Sequence, residues 1–141
     1  MTGGRALEGT VRPAGNKNAA LPLLAATLLT DGPTTVTNVP RIRDVAALLE
    51  LIAYLGADVG WTDAHTVRID PAGVEPRPLD AALSERIRAS VLLAGPLLAR
   101  FGAVTMPPPG GDVIGRRRLD SHFLAFEQLG ADVQIGRTYR L

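Results

Sequence analysis

The chain has 141 residues, and 15 Lys and Arg against 14 Asp and Glu leave a formal net charge of +1, so no global electrostatic attraction to nucleic acid or to a membrane surface is expected. Hydrophobic residues make up 46% and charged residues 21%, a globular balance that excludes a mainly disordered chain. The absence of Cys excludes a disulfide framework, a thiolate metal cluster and a cysteine nucleophile, and His65 and His122 cannot form a His-based zinc site by themselves.

Residues 1–5 lead into no signal-peptide core. The longest apolar stretch, residues 19–29, contains Pro22 and is too short to span a bilayer, so a soluble, cytoplasmic protein is expected. Residues 18–30 are a run of Ala and Leu, read as a buried helix with Pro22 in its first turn, where a missing N–H is harmless. The short β-branched segment 34–38 reads as a strand. Asp44 then N-caps a helix in which Val45, Leu48, Leu49, Ile52 and Leu55 recur at helical spacing until Gly56 closes it. Residues 57–61 and 65–70 read as a hairpin. A second series follows: a helix over 84–100 capped by Ser84, a strand over 103–106, a helix over 119–129 ended by Gly130, a strand over 131–135 and a last strand reaching Leu141.

The two series are copies of one unit. Leu55-Gly56-Ala57-Asp58-Val59 returns as Leu129-Gly130-Ala131-Asp132-Val133 at an offset of 74 residues, and Asp44 parallels Asp120 at the start of the helix leading to that corner. Each unit runs helix, strand, helix, strand, strand. The fold class is therefore α/β (α+β), with two αβαββ repeat units over about 9–75 and 76–141. Neither helix of a unit is polar along one whole side, so an apolar helix face is left uncovered. Self-association or a complementing chain is expected to cover it, and the chain reads as an incomplete domain.

Cationic residues gather at predicted helix N-termini, where the macrodipole is already positive. Lys17, the only lysine, stands in Gly15-Asn16-Lys17-Asn18 beside the first helix. Arg41 and Arg43 precede the second, Arg86 and Arg88 lie in the first turns of the third, and Arg116-Arg117-Arg118 precede the fourth. A bound anion resolves the conflict, because helix N–H groups and cationic side chains then converge on it. Arg41 and Arg43 read better as side chains extending into solvent. For Lys17 and Arg116 to Arg118 the anion-binding reading is favoured, with one of the three arginines left to face solvent.

The segment Met106-Pro107-Pro108-Pro109-Gly110-Gly111-Asp112-Val113-Ile114-Gly115 joins a stiff proline run to a Gly-Gly hinge, the composition of a lid. Asp112 reads either as a salt-bridge partner of the nearby arginines or as a proton carrier at a closing site, and spacing alone favours the structural role. For His122, a packed and hydrogen-bonded side chain is the better reading.

Gly15-Asn16-Lys17-Asn18-Ala19-Ala20-Leu21-Pro22, the link from Asn38-Val39-Pro40 to Asp44, Leu55-Gly56-Ala57, Arg88-Ala89-Ser90 and Pro109-Gly110-Gly111-Asp112-Val113-Ile114-Gly115-Arg116-Arg117 together carry a resemblance. From about Leu7 onward the chain resembles the N-terminal third of the UDP-N-acetylglucosamine 1-carboxyvinyltransferases, the enolpyruvyl transferases of peptidoglycan synthesis. The resemblance implies an inside-out α/β barrel, with helices inside surrounding sheets. It also implies transfer of the enolpyruvyl group of phosphoenolpyruvate to the 3′-hydroxyl of UDP-N-acetylglucosamine with release of phosphate. That is the first committed step of peptidoglycan synthesis, on which cell shape and division depend. No metal or organic cofactor is implied.

By the same resemblance, Lys17 and Arg117 would hold the phosphate of phosphoenolpyruvate, Asn18 the sugar and the tetrahedral intermediate, and Arg88 would add positive charge. Asp120 would be the polar contact at the uridine border. Asp112 stands where most members carry a reactive cysteine; an aspartate keeps the capacity for proton transfer but not for alkylation by the epoxide antibiotic fosfomycin. Two residues depart from the family pattern: Arg118 stands where a proline is usual and Asn16 where an alanine is usual. They leave open a paralogue that enolpyruvylates another nucleotide acceptor. A non-catalytic UDP-sugar or anion-binding fragment, or half of a split enzyme, is the alternative from a different class.

Overall fold

Asn16 sets the first helix. Its side-chain oxygen accepts the backbone N–H of Asn18 at 2.8 Å and of Ala19 at 3.2 Å, satisfying two donors that a helix start leaves open. In the computed structural model, which describes residues 3, 4, 6, 8–111 and 118–141, α1 therefore spans Lys17–Ala26 and tightens into a 3-10 turn over Thr27–Leu29. Because the helix opens at Lys17, Pro22 lies in its second turn, not its first. Its missing N–H leaves the carbonyl of Asn18 outside the helical ladder. Leu21, Leu24, Ala25 and Leu28 are buried, whereas Leu23 and Leu29 are each 55% exposed, so α1 is apolar on both its covered and its uncovered sides.

Strand β1 (Thr34–Val36) leads to α2 (Arg43–Tyr54), whose buried side comprises Val45, Leu48, Leu49, Leu51 and Ile52. The expected cap at Asp44 is corrected: Ile42 holds the capping position with no side-chain hydrogen bond, and Asp44 sits inside the first turn. Its carboxylate is engaged by Lys17 instead. Strands β2 (Asp58–Trp61) and β3 (Val67–Asp70) complete a three-stranded antiparallel sheet in the order β1-β3-β2, with Thr34 opposite Ile69 and Trp61 opposite Val67. Val67 and Ile69 face the core while Arg68 and Asp70 alternate away from it. At the β2–β3 turn, the Asp63 carboxylate accepts the His65 backbone N–H at 2.7 Å. That bond, followed by the Thr66 side chain, holds the carboxyl below the usual carboxylate range.

The single helix expected over 84–100 is three pieces. Helix α3 covers Ala81–Glu85, a 3-10 turn covers Arg88–Leu93, and α4 covers Ala94–Phe101. Pro96 explains the second break, because it has no N–H for the carbonyl of Leu92 and its ring crowds that carbonyl, so regular helix restarts with Pro96 in the first turn. Ile87 makes the first break, buried and extended at φ −148° and ψ 130°. The expected cap at Ser84 is also corrected: Asp80 caps α3 by accepting the Leu83 N–H at 2.8 Å, and Ser84 lies inside the helix.

Strand β4 (Thr105–Met106), α5 (Asp120–Gln128), β5 (Gln134–Ile135) and β6 (Tyr139–Arg140) follow, and the second sheet has the order β4-β6-β5, antiparallel throughout. Met106 lies opposite Tyr139, whose ring meets Phe123 of α5 edge-on with centroids 5.0 Å apart. The core is mostly helical, and the sheets contribute Val67, Ile69 and Met106 from its outer walls, as in an inside-out α/β fold. Arg100 of α4 joins the halves, donating to the carbonyls of Leu28 at 3.0 Å, Thr30 at 3.2 Å and Pro71 at 3.3 Å. No helix among the described residues is long and apolar enough to cross a membrane.

The Ser84 hydroxyl is fully buried and has no hydrogen-bond partner among the described residues. An unpaired buried hydroxyl costs free energy, so Ser84→Ala is expected to leave stability unchanged or raise it by about 1 kcal/mol. Urea unfolding checks this, since loss of a true helix cap would instead lower stability by about 1 kcal/mol.

Candidate functional site

Packing α1 against α2 and the 88–93 turn brings the starts of three chain segments to one place. Lys17 is the first residue of α1, Asp44 is in the first turn of α2, and Arg88 is the first residue of the 3-10 turn. Arg118 and Leu119 enter beside them just before α5. Together they line a cavity of about 450 Å³, whose apolar floor includes Leu21, Pro22, Ile87 and Leu92.

Two glycine contacts fix these positions. A Cβ at Gly15 would run into the carbonyl oxygen of Asn38 and come within 2.8 Å of Pro40 Cδ, so only glycine lets the segment before Lys17 lie against the 38–40 link. Asn38 itself adopts φ 55°, and His65 Nδ1 lies 3.2 Å from the Val39 carbonyl. On the other side of the cavity, Gly110 and Gly111 donate their N–H groups to the carbonyls of Ser84 and Glu85, both at 3.1 Å. A Cβ on Gly110 would meet the Glu85 backbone, and one on Gly111 would meet Arg88 N at 2.9 Å, so the Gly-Gly pair docks directly against the turn that presents Arg88.

Of the side chains expected to form a site, Lys17, Asn18 and Arg88 all line this cavity. Arg88 Nη2 donates to the Arg118 carbonyl at 3.5 Å, tying the 3-10 turn to the entry of α5. Asp120 opens α5 beside the cavity, its carboxylate ion-paired with Arg118. Asp112 and Arg117, with the rest of segment 112–117, lie outside the described residues.

Other basic residues differ in part from their expected roles. Arg86 is at the C-terminal end of α3, where the macrodipole favours a cation, and pairs with Glu50, which raises its pKa. Arg41 is exposed and away from the cavity, as expected, but it is also anchored: it donates to the carbonyls of Ala64 at 2.9 Å and Asp63 at 3.2 Å, and its guanidinium lies 4.2 Å from the Trp61 ring centroid. His122 is an exposed residue on the cavity wall rather than a packed one, because the buried side of α5 is taken by Phe123. Sequence reasoning missed Asp44 as a member of the site, where it ion-pairs with Lys17. It also missed Asn16 as the cap of α1; an Asn directly before a predicted helix is the local signal for it.

The arrangement suits an anion. Lys17, Arg88 and Arg118 supply positive charge near segment starts, while Asn16 has already taken two N–H groups of α1, so binding would fall on side chains more than on that helix end. The family model described as EPSP synthase (3-phosphoshikimate 1-carboxyvinyltransferase) matches residues 1–141. The chain belongs to this family.

Among relatives in the family, a protein of Bradyrhizobium diazoefficiens named UDP-N-acetylglucosamine 1-carboxyvinyltransferase is 60% identical over 133 residues, covering 94% of this chain and 31% of that protein. A protein of the same name from Treponema denticola is 44% identical over 139 residues, covering 99% and 33%. The crystal structure of the enolpyruvyl transferase NikO from Streptomyces tendae superposes with a TM-score of 0.75 at 25% identity, covering 98% of this chain and 30% of that one. The chain thus spans about a third of the length of the curated relatives it matches.

The Gly15 contact yields a direct expectation. Gly15→Ala forces the 15–18 segment off the 38–40 link, with an expected loss of about 1–3 kcal/mol of stability. Thermal unfolding reads the loss, and a lysine side-chain NMR signal moving toward that of an unpaired ammonium reads the displacement of Lys17.

Proposed function

We propose that this chain forms the anion-binding part of an enolpyruvyl transferase acting on phosphoenolpyruvate and UDP-N-acetylglucosamine. The observation that carries the reading is the cavity where Lys17, Asn18, Arg88 and Arg118 converge, in a chain 60% identical to a protein named for this reaction. In the proposed reaction the sugar 3′-hydroxyl gives up its proton to a base as its oxygen bonds to C2 of phosphoenolpyruvate, and the C2=C3 π electrons take a proton at the C3 methylene, giving a tetrahedral intermediate. C3 then gives up a proton and the C2–O bond to phosphate breaks, releasing inorganic phosphate. Lys17 and Arg117 hold the phosphate, Asn18 the sugar and the intermediate, and Arg88 adds charge that meets the anions. Asp120 contacts the uridine border, and Asp112 carries the proton to and from C3. Residues 1–141 make up a partial domain of two repeat units in this reading.

Cations already in place cost no reorganisation when charge develops, which is why such a cluster lowers a barrier. A second reading, resting on the same cavity, is a UDP-sugar- or anion-binding fragment or one half of a split enzyme, which binds without catalysing transfer by itself. Calorimetric titration with UDP-N-acetylglucosamine and then phosphoenolpyruvate, with released phosphate followed in the same sample, separates the two. Both ligands are expected to bind, and Lys17→Ala is expected to weaken phosphoenolpyruvate binding by about tenfold or more. Binding without phosphate release selects the second reading. An absence of binding, or binding indifferent to Lys17→Ala, overturns both.

The residue at position 112 gives a further expectation. A carboxylate lacks the thiolate that opens an epoxide, so incubation with fosfomycin is expected to add no mass to the chain. In the Asp112→Cys variant one fosfomycin adduct is expected, read by intact-protein mass spectrometry.

A further inference from the structure

The ammonium of the chain's one lysine is already engaged by a carboxylate. Lys17 Nζ is ion-paired with Asp44 across the N-terminal ends of α1 and α2, and Arg118 is paired in the same manner with Asp120. We propose that Asp44 is a counterion gate for Lys17: its carboxylate occupies the ammonium in the unliganded protein and competes with an arriving phosphate group for it. Phosphate then binds more weakly, and leaves more readily, than the cationic cavity alone would allow. The inference rests on the anion-binding reading of the cavity and specifies how that site lets go of its ligand.

Three features support it. Asp44 does not serve as the cap of α2, so its carboxylate is not tied to orphan N–H groups of the helix. The pair is also accessible, with side-chain exposures of 51% for Lys17 and 34% for Asp44, and accessible ion pairs are weak enough to exchange. Finally, each partner is held without the other. Lys17 is placed by the Asn16 cap and by the contact of Gly15 with the 38–40 link, and Asp44 lies in a first helical turn, where the dipole favours a carboxylate whether or not an ammonium is near. Asp44 can therefore release Lys17 without becoming an uncompensated charge. A transfer that ends with free phosphate in a cationic cavity needs such a competitor, since an unopposed cluster would retain its product.

Lys17 is the only lysine, so the chain made with 13C- and 15N-labelled lysine carries a single lysine side-chain reporter. Inorganic phosphate is titrated into the wild type, Asp44→Asn, Asp44→Glu and Lys17→Ala, with phosphate affinity read by calorimetry and, where Lys17 is present, by its NMR signals. The expected result is a shifted ligand-free Lys17 signal in Asp44→Asn and phosphate binding about threefold to tenfold tighter than in wild type. Asp44→Glu is expected to keep the wild-type affinity, and Lys17→Ala to weaken binding with either residue at position 44. Asp44→Ser is a second neutral variant should Asp44→Asn not fold. Lys17-dependent binding in the wild type that is unchanged or weaker in a folded neutral variant overturns the gate and leaves the anion site standing. Failure of phosphate to bind either wild type or neutral variant overturns the anion site and the gate together.

Discussion

Burial of α1 is the constraint on which the rest of the structure depends. One side of this Ala- and Leu-rich helix, carrying Ala20, Leu21, Leu24 and Ala25, is packed against α2 and the 88–93 turn, while Leu23 on the other side stays exposed. Each fully buried leucine contributes about 2 kcal/mol relative to exposure, so Leu24 and Leu28 alone strongly favour this arrangement. The same packing determines where the N-terminal ends of the neighbouring segments lie. The charged cavity is thus a by-product of how an apolar helix is covered.

Within that cavity the chain balances repulsion locally. Lys17, Arg88 and Arg118 would be unfavourable together at segment starts if nothing opposed them, yet Asp44 and Asp120 stand in the first turns of α2 and α5, where helix dipoles welcome carboxylates. The apolar floor formed by Leu21, Ile87 and Leu92 sets these charges against a poorly polarisable surface, which strengthens their attraction for an anion compared with the same groups in open water.

Much of this fold was legible in the sequence because it is written in local periodicity. The helical spacing of Val45 to Ile52, the β-branched strands and the returning Leu-Gly-Ala-Asp-Val corner report backbone geometry within a few residues, and the two sheets share one strand order. The broken third helix was not legible from its apolar run, since the effects of Ile87 and Pro96 act against a pattern that otherwise favours helix. Lys17, Asn18 and Arg88 were visible as candidates because they violate the charge preference of helix starts or sit in a recognisable motif. Asp44 was not, because its role is a contact with a residue far away in sequence, and a carboxylate before an amphipathic helix looks locally like a cap. The anchoring of Arg41 was hidden for a related reason: its partners lie in a hairpin more than 20 residues downstream.

Arg100 bears on how the two halves behave as a pair. Its guanidinium ends on three carbonyls of the first half, and the connecting residues 76–78 are exposed. Adhesion between the halves is therefore a property of their surfaces rather than of the peptide that links them. A backbone nick within 76–78 would leave both pieces docked and the cavity assembled, and the intact molecule should melt in one cooperative step even though its architecture is a duplication.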